Sequence, residues 1–372
     1  MLRLSRLRAV ARKEIIQLKR DTRSLALAFV LPALLVVIFA YGISWDVNDI
    51  RTVVLDQDVS HRSRELVDAF RASGYFTIEH VAATREIDQA IDRGTAQMAL
   101  VIPPDFSEDF GGGTPARLQA IVDGSDANTA TIILDYTRAV VEAYGRDAVQ
   151  AKQGVSPPGI GLETRVWYNE ELVSRNMIVP GLVAVIMMII AAMLTSLTIA
   201  REWERGTMEQ LASTPVHRGE VVLGKLLPYL AIGLLDVVIA SLLGVWLFGV
   251  PFRGNVLLLM VASTLFLVGA LGLGMFISAV TRSQLLATQV AMVVTFLPAF
   301  LLSGFMYSLD VMPRGLQAVT YLIPARYFVV VTRGVFLKGV GISELHSQAF
   351  MMIAFAAVGL LLSVRAFRKE IA

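Results

Sequence analysis

Three groups of residues could carry chemistry, and the first is Gly219-x-x-x-x-Gly224-Lys225. In a P-loop, such glycines let backbone N–H groups cradle phosphates while the lysine reaches the outer ones. That loop also needs Ser or Thr after the lysine, for Mg²⁺, and a hydrophobic strand before it. Leu226 follows here and the segment opens a long apolar run, so no nucleotide site is expected in this chain. The second group is Asp236, alone in AIGLLDVVIAS. A carboxylate at membrane depth costs about 2.5–3.5 kcal/mol on insertion scales, so it must face protein or water or be protonated. Two readings stay open for it: a substrate or proton site, or a buried polar contact between helices. The histidines (His61, His80, His217, His346) are scattered without metal-ligand spacing, and cysteine is absent. No nucleophile is paired with a base, so the chain does not read as an enzyme.

The third group is REWERGTMEQLASTPVHRG, residues 201–219, a charged stretch between two apolar runs. Gly206 breaks a helix that reaches about Glu204. Thr207 and Gln210 have capping-box spacing, in which each side chain satisfies the other residue's backbone N–H. Met208, Leu211 and Ala212 form one apolar face, and Pro215 limits the helix to about two turns. The pattern predicts a short capped helix set off from its neighbours; an amphipathic loop helix lying on a membrane fits it too.

The elements around these groups are mostly apolar. Of 372 residues, 55% are hydrophobic and 17% charged, against about 25% charged in soluble domains. A bilayer core needs about 20 apolar helical residues per crossing. Six runs qualify, at about 24–44, 177–200, 221–248, 255–280, 285–307 and 347–366. Inside lipid each segment must satisfy its own backbone groups, so these runs are expected to be helices. The first could end in a cleaved signal peptide, with Ala40 and Gly42 small enough for cleavage. Its apolar run exceeds the usual signal core, which favours an uncleaved anchor. Gly269, Gly272 and Gly274 in the fourth run suit close helix packing. Met187-Met188 and Met351-Met352 read as packing or lipid-facing residues.

Charge sorts the ends of these runs. Residues 45–175 carry 12 Lys/Arg and 21 Asp/Glu, a net of −9; the rest carries 21 and 10, a net of +11. Residues 1–23 hold eight cations, and Arg201, Arg205, Arg218, Lys225, Arg282, Arg365, Arg368 and Lys369 fall on the same side of a six-span layout. Cations gather in short cytoplasmic loops, so both termini are expected in the cytoplasm and the acidic block outside. Arg314, Arg326, Arg333 and Lys338 fall on the outer side and run against the rule.

Residues 3–20 alternate apolar positions (Leu4, Leu7, Ala11, Ile15, Leu18) with cations, as in an interfacial helix suited to anionic lipid; a solvated helix orienting the first span is the other reading. Residues 45–175 read as an α/β domain, with strands at Thr52–Leu55, Tyr75–Glu79, Met98–Ile102 and Leu118–Val122. Helices are expected at Arg62–Arg71 and Arg85–Arg93, then from a cap at Ser125 or Asp126 to about Lys152. Gly154–Gly161 reads as a linker. Residues 303–339 are too broken by Pro313, Pro324 and glycines to span cleanly, so re-entrant helices are expected there.

These residues carry a family resemblance. REWERGTMEQLASTPVHRGEVVLGKLLPY is similar to the signature of type-2 ABC exporter permeases, the membrane subunits of ATP-driven efflux systems. The likeness runs over essentially the whole chain, through VDGSDANTA at 122–130, SGF at 303–305, Pro313, IPARYF at 323–328 and RGVFLKG at 333–339. Ser308 departs from it, since relatives often have proline after the SGF turn. The resemblance implies a coupling helix at about Gly206–Thr214 that docks on a separate ATP-binding subunit. Glu202, Glu204 and Arg205 would stand at its entry, with Thr207, Met208, Glu209, Gln210 and Leu211 in it. ATP and Mg would be bound by that partner, and closure of the partner would re-pack spans two and five. It also implies a second permease, identical or related. Members with so large an insertion often work with a periplasmic adaptor and an outer-membrane channel.

The resulting expectation is an α-helical integral membrane protein with six transmembrane helices and a mixed α/β extracytoplasmic domain between helices 1 and 2. Its parts are an interfacial helix (1–23), a first span (24–44), the outer domain (45–175) and a membrane domain (176–372) holding the coupling helix (206–214) and the re-entrant segment (303–339). The function expected is ATP-driven export of a drug, lipid or other amphiphile across a bacterial inner membrane, with membrane lipid around the chain and no nucleic-acid partner. Two alternatives remain: an ion-coupled carrier using Asp236, and a non-transporting scaffold binding an envelope partner.

Overall fold

A computed structural model of the chain describes residues 3–42, 49–112, 116–125, 127–153, 168 and 173–367. The expected linker at 154–161, and Asp126, Arg368 and Lys369, lie outside them. The chain divides into two compact units, Met1–Ser44 with Val166–Ala372, and Trp45–Arg165.

The chain begins with α1 (Leu4–Arg20) and α2 (Thr22–Gly42). The second unit follows as β1 (Ile50–Asp56), α3 (His61–Ala72), β2 (Phe76–His80), α4 (Thr84–Asp92), β3 (Met98–Ile102), α5 (Phe106–Gly112), β4 (Gln119–Val122) and α6 (Ala127–Gln153). Its sheet runs β2-β1-β3-β4, with β1 parallel to both neighbours and β4 antiparallel to β3. Parallel neighbours need crossover connections, and α3 and α4 supply them. Side chains alternate across a strand: Ile50, Val54, Met98 and Leu100 pack with Leu66, Phe70 and Ile133 on one face, and Val53, Leu55 and Ala99 with Ile87 on the other. The four expected strands are present, each within two residues of its expected ends. Helix α5 had no periodic signal.

The first unit resumes with α7 (Ser174–Glu204), α8 (Met208–Ser213), α9 (Arg218–Trp246), α10 (Val256–Thr281), α11 (Gln284–Leu302), α12 (Arg314–Thr320), α13 (Pro324–Arg333) and α14 (His346–Ala366). Among the described residues, five helices (α7, α9, α10, α11 and α14) are long and apolar enough to cross a membrane. Helix α2 adds a shorter apolar stretch, Ala28–Gly42. Helix α7 is the centre: every side chain from Ile178 to Ala192 is buried, Met187 and Met188 included. Helices α2, α9, α10, α11 and α13 pack around it.

The glycines of α10 set its two closest contacts. A Cβ on Gly272 would lie 2.6 Å from the backbone of Gly359 on α14, and one on Gly274 would strike Ala192 and Thr195 on α7. Small residues let helices approach this closely where lipid gives no hydrophobic drive. Polar groups add to it: Ser278 Oγ accepts the N–H groups of Ile199 and Ala200, at 3.0 and 2.8 Å. The segment 303–339 is broken as expected, with α12 and the Pro324–Lys338 helix bent by 80°. A π-helical turn at Gly334–Lys338 was not legible beforehand.

Candidate functional site

Helix α7 outruns its apolar stretch and ends in Arg201, Glu202, Trp203 and Glu204. Arg205 closes it, and Gly206 follows at φ +69°. That left-handed turn suits glycine, and it turns the chain into the six-residue helix α8. Pro215 follows shortly after, and α9 starts at Arg218.

The capping box expected of Thr207 and Gln210 does not form. Thr207 has helical dihedrals (φ −77°, ψ −7°) and makes no side-chain cap, whereas a capping side chain needs an extended backbone. Its hydroxyl instead donates to the Glu202 carboxylate. Glu202 is 4% exposed and also accepts from Lys13 Nζ at 2.8 Å and Lys225 Nζ at 3.2 Å. Lys225 reaches Glu14 at 3.0 Å, and Tyr229 Oη donates to Glu14 at 3.1 Å. Glu14, Lys225 and Tyr229 are all buried. Two acids and two ammoniums thus form one closed set joining α1, α7 and α9, with the entry to α8 attached through Thr207. Buried charges persist only when paired and hydrogen-bonded, and here each is.

Two further carboxylates work nearby. Buried Glu220 accepts the Arg3 N–H at 2.6 Å and the His217 N–H at 2.8 Å, holding the starts of α1 and α9 together. Glu204 accepts the Gln284 N–H at 2.7 Å and its side-chain amide, so it caps α11. Arg282 lies over the Trp203 ring at 4.4 Å. The near P-loop at Gly219–Lys225 lies inside α9, where Gly224 meets Val10 and the backbone of Leu7 on α1. From Val222 on, its backbone N–H groups are paired within the helix, and Lys225 is already held by two acids.

The nine residues expected at a coupling helix therefore divide. Glu202 and Met208 are buried, Thr207 and Leu211 half-buried, and Glu204, Arg205, Gly206, Glu209 and Gln210 exposed. Asp236 is 2% exposed in α9, and its Oδ2 has no hydrogen-bond partner among the described residues. No three His, Asp or Glu side chains group as a metal site among them.

Sequence reasoning missed Glu14, Tyr229 and Glu220, and counted Lys225 only as a cation flanking the third span. A usable signal existed: Glu14 is the only acid in residues 1–20, and Lys225 interrupts an apolar run. Helix α1 buries Val10, Glu14 and Leu18, while Leu4 and Ile15 of its apolar stripe stay exposed. The segments SGF and RGVFLKG meet as well. Arg333 donates to Gly304 O at 3.0 Å, Phe305 O at 3.2 Å and Met177 O at 3.3 Å.

The site and the bundle can now be set beside known proteins. Residues 23–365 match the family described as "ABC-2 family transporter protein". The chain is 40% identical over 335 residues to the Escherichia coli K12 protein named "Probable multidrug ABC transporter permease YbhS", covering 90% of this chain and 89% of that one. It is 29% identical over 368 residues to "Probable multidrug ABC transporter permease YbhR" of the same strain, covering 98% and 99%. It is also 27% identical over 326 residues to its "Inner membrane transport permease YhhJ", covering 86% and 85%. A match over nearly the whole bundle, from the first apolar helix to the last, places the polypeptide as a multi-pass membrane permease: the chain belongs to the ABC-2 family of ABC transporter proteins.

Proposed function

We propose that the chain forms the membrane half of an exporter whose ATP-binding subunit docks on the exposed side of residues 206–214. The observation that carries this is α8 itself, a six-residue helix tied at its entry to a buried ionic cluster, with Arg205, Glu209 and Gln210 facing outward. ATP and Mg belong to that partner. A push on α8 reaches Glu202 through Thr207, and through Lys13 and Lys225 it reaches α1 and α9. Helix α7 is sealed inside the chain, so of spans two and five only α11 offers outward apolar side chains, among them Val290, Val293 and Leu297. We assign that face to a second permease copy.

Six spans follow if α2 is the first and α7, α9, α10, α11 and α14 the others. Both termini and α8 then lie in the cytoplasm, and the α/β unit lies outside a bacterial inner membrane as an insertion after the first span. An adaptor and outer channel could engage that unit. Relatives named as multidrug permeases support an amphiphilic, drug-like cargo moved outward.

Glu204 caps α11, so a docking test should spare it. Glu209→Ala with Gln210→Ala, both exposed on α8, is expected to weaken co-purification of the ATP-binding subunit about tenfold or more, since one or two interface anchors carry that much energy. Membrane content of the variant should match the parent. Full co-purification and transport would overturn the docking role. Transport without the ATP-binding subunit, abolished by collapsing the proton gradient, would instead favour an ion-coupled carrier centred on Asp236.

A further inference from the structure

Beside α8 the bundle has an open cleft of about 800 Å³ between α1, the start of α2, the end of α7 and the start of α11. Among the described residues four cations line it: Lys13, Arg20, Arg201 and Arg205. Two are matched by acids, Lys13 by Glu202 at 2.8 Å and Arg201 by Asp21 at 2.9 Å. Arg20 and Arg205 are exposed and have no carboxylate partner among the described residues. The cleft therefore holds two surplus guanidiniums, a group whose planar donor fork fits phosphate oxygens.

Leu197 lines this cleft and also a second cavity of about 160 Å³ deeper along α7. That cavity lies between Leu31 of α2, Ile190, Met193 and Leu194 of α7, and Thr288 of α11. Thr288 sits one helical turn from Gln284, which lines the outer cleft. The two spaces adjoin at Leu197, the outer one cationic and the inner one apolar. Further along α2 and α11 the rings of Phe39 and Phe300 lie 6.0 Å apart. Apolar cavities of this size stay dry, so the inner part calls for hydrocarbon.

We infer that these adjoining spaces are the seat of one anionic phospholipid. Its phosphate lies against Arg20 and Arg205 and one acyl chain enters the slot at Leu197. The position suits it, because α7 passes from apolar to charged residues between Leu197 and Arg201. Exposed Ile15 and Ile16 put the neighbouring stripe of α1 at the same level. A second copy of this chain would bring the same surplus cations to the mouth, and so fits it poorly. The lipid fills the gap between α1, α2 and α11 and holds α1 against the bundle.

The test uses the full chain in neutral detergent, stripped of lipid and mixed with phosphatidylglycerol or phosphatidylcholine of matched chains. Bound lipid is counted by native mass spectrometry, with no ATP-binding subunit needed, so this result and the docking result stand apart. One phosphatidylglycerol per chain is expected, held more tightly than phosphatidylcholine. Each cation near an anionic headgroup contributes about 1 kcal/mol, so Arg20→Gln with Arg205→Gln should weaken phosphatidylglycerol about 30-fold, and the Lys/Lys pair should retain most of the binding. Thr288→Phe, which fills the slot, should weaken both lipids, and glycerol phosphate should not displace the bound one. Equal retention of the two lipids, parental binding by the Gln/Gln pair, or displacement by glycerol phosphate would each overturn the assignment. If the Gln/Gln pair fails to fold, Thr288→Phe and the displacement arm still decide it.

Discussion

Lys225→Met is expected to cost about 3–5 kcal/mol, the usual penalty for removing one partner of a buried ion pair. The change takes the ammonium from Glu14 at 3.0 Å and Glu202 at 3.2 Å. Glu202 keeps Lys13, but Glu14 is left with only the hydroxyl of Tyr229 among the described contacts. An uncompensated carboxylate in a dry interior is the expensive species. Thermal unfolding of the full chain in detergent reads this directly, as an unfolding midpoint well below the parent's. Adding Glu14→Gln should recover most of the loss, because the double variant removes a balanced pair of charges. A single variant as stable as the parent would show that the cluster carries no net stabilisation. A double variant worse than the single would show that the cost lies in packing rather than in charge.

The second large effect is expected at Arg333. Its guanidinium satisfies three backbone carbonyls, those of Met177 at the start of α7 and of Gly304 and Phe305 in the turn after α11. Gly304 holds that turn at φ +79°, a conformation open to glycine at little cost. Arg333→Met leaves all three acceptors without this donor. Hydrogen bonds to a charged group contribute about 1.5–3 kcal/mol each; with the acceptors part-buried and Met177 keeping its place in α7, a loss of about 3 kcal/mol is expected. Arg333→Lys should restore less than half of it, because a single ammonium point cannot reproduce the spread of a planar fork. The check is the same unfolding measurement on the parent and the two variants. Full rescue by lysine would show that charge alone matters here.

These two residues also mark where sequence reading fails. The membrane helices were legible because each is a continuous apolar run with its own length requirement. The strands of the α/β unit were legible from β-branched runs bounded by turn residues. The short helix α8 was legible from Gly206 and Pro215, both of which act within a turn or two. Glu14 and Lys225 were not, since their contact joins positions 211 residues apart and leaves no local pattern. Arg333 looked like a loop cation on the wrong side of the charge rule, yet its donors turn inward to carbonyls. Arg326 is a second such cation with local partners: its guanidinium lies over the Tyr321 ring, 3.9 Å from the centroid, and donates to the Thr320 hydroxyl. Thr207 failed differently. Its spacing to Gln210 was right for a cap, but the turn at Gly206 leaves Thr207 with helical dihedrals, so its oxygen does not reach the N–H it would cap.

The Glu14–Lys225 contact also sets an order in time. The ribosome releases Glu14 211 residues before Lys225, and at about 5–20 residues per second that interval is about 10–40 s. Through that interval α1 holds an acid whose partner does not yet exist, so it cannot take its final seat. Its basic, amphipathic surface gives it somewhere to wait, in the headgroup layer. Nascent chains arrested before residue 225 should therefore leave position 14 open to water-soluble labels, and chains arrested well after Tyr229 should shield it; equal labelling of both would show that α1 docks without its partner.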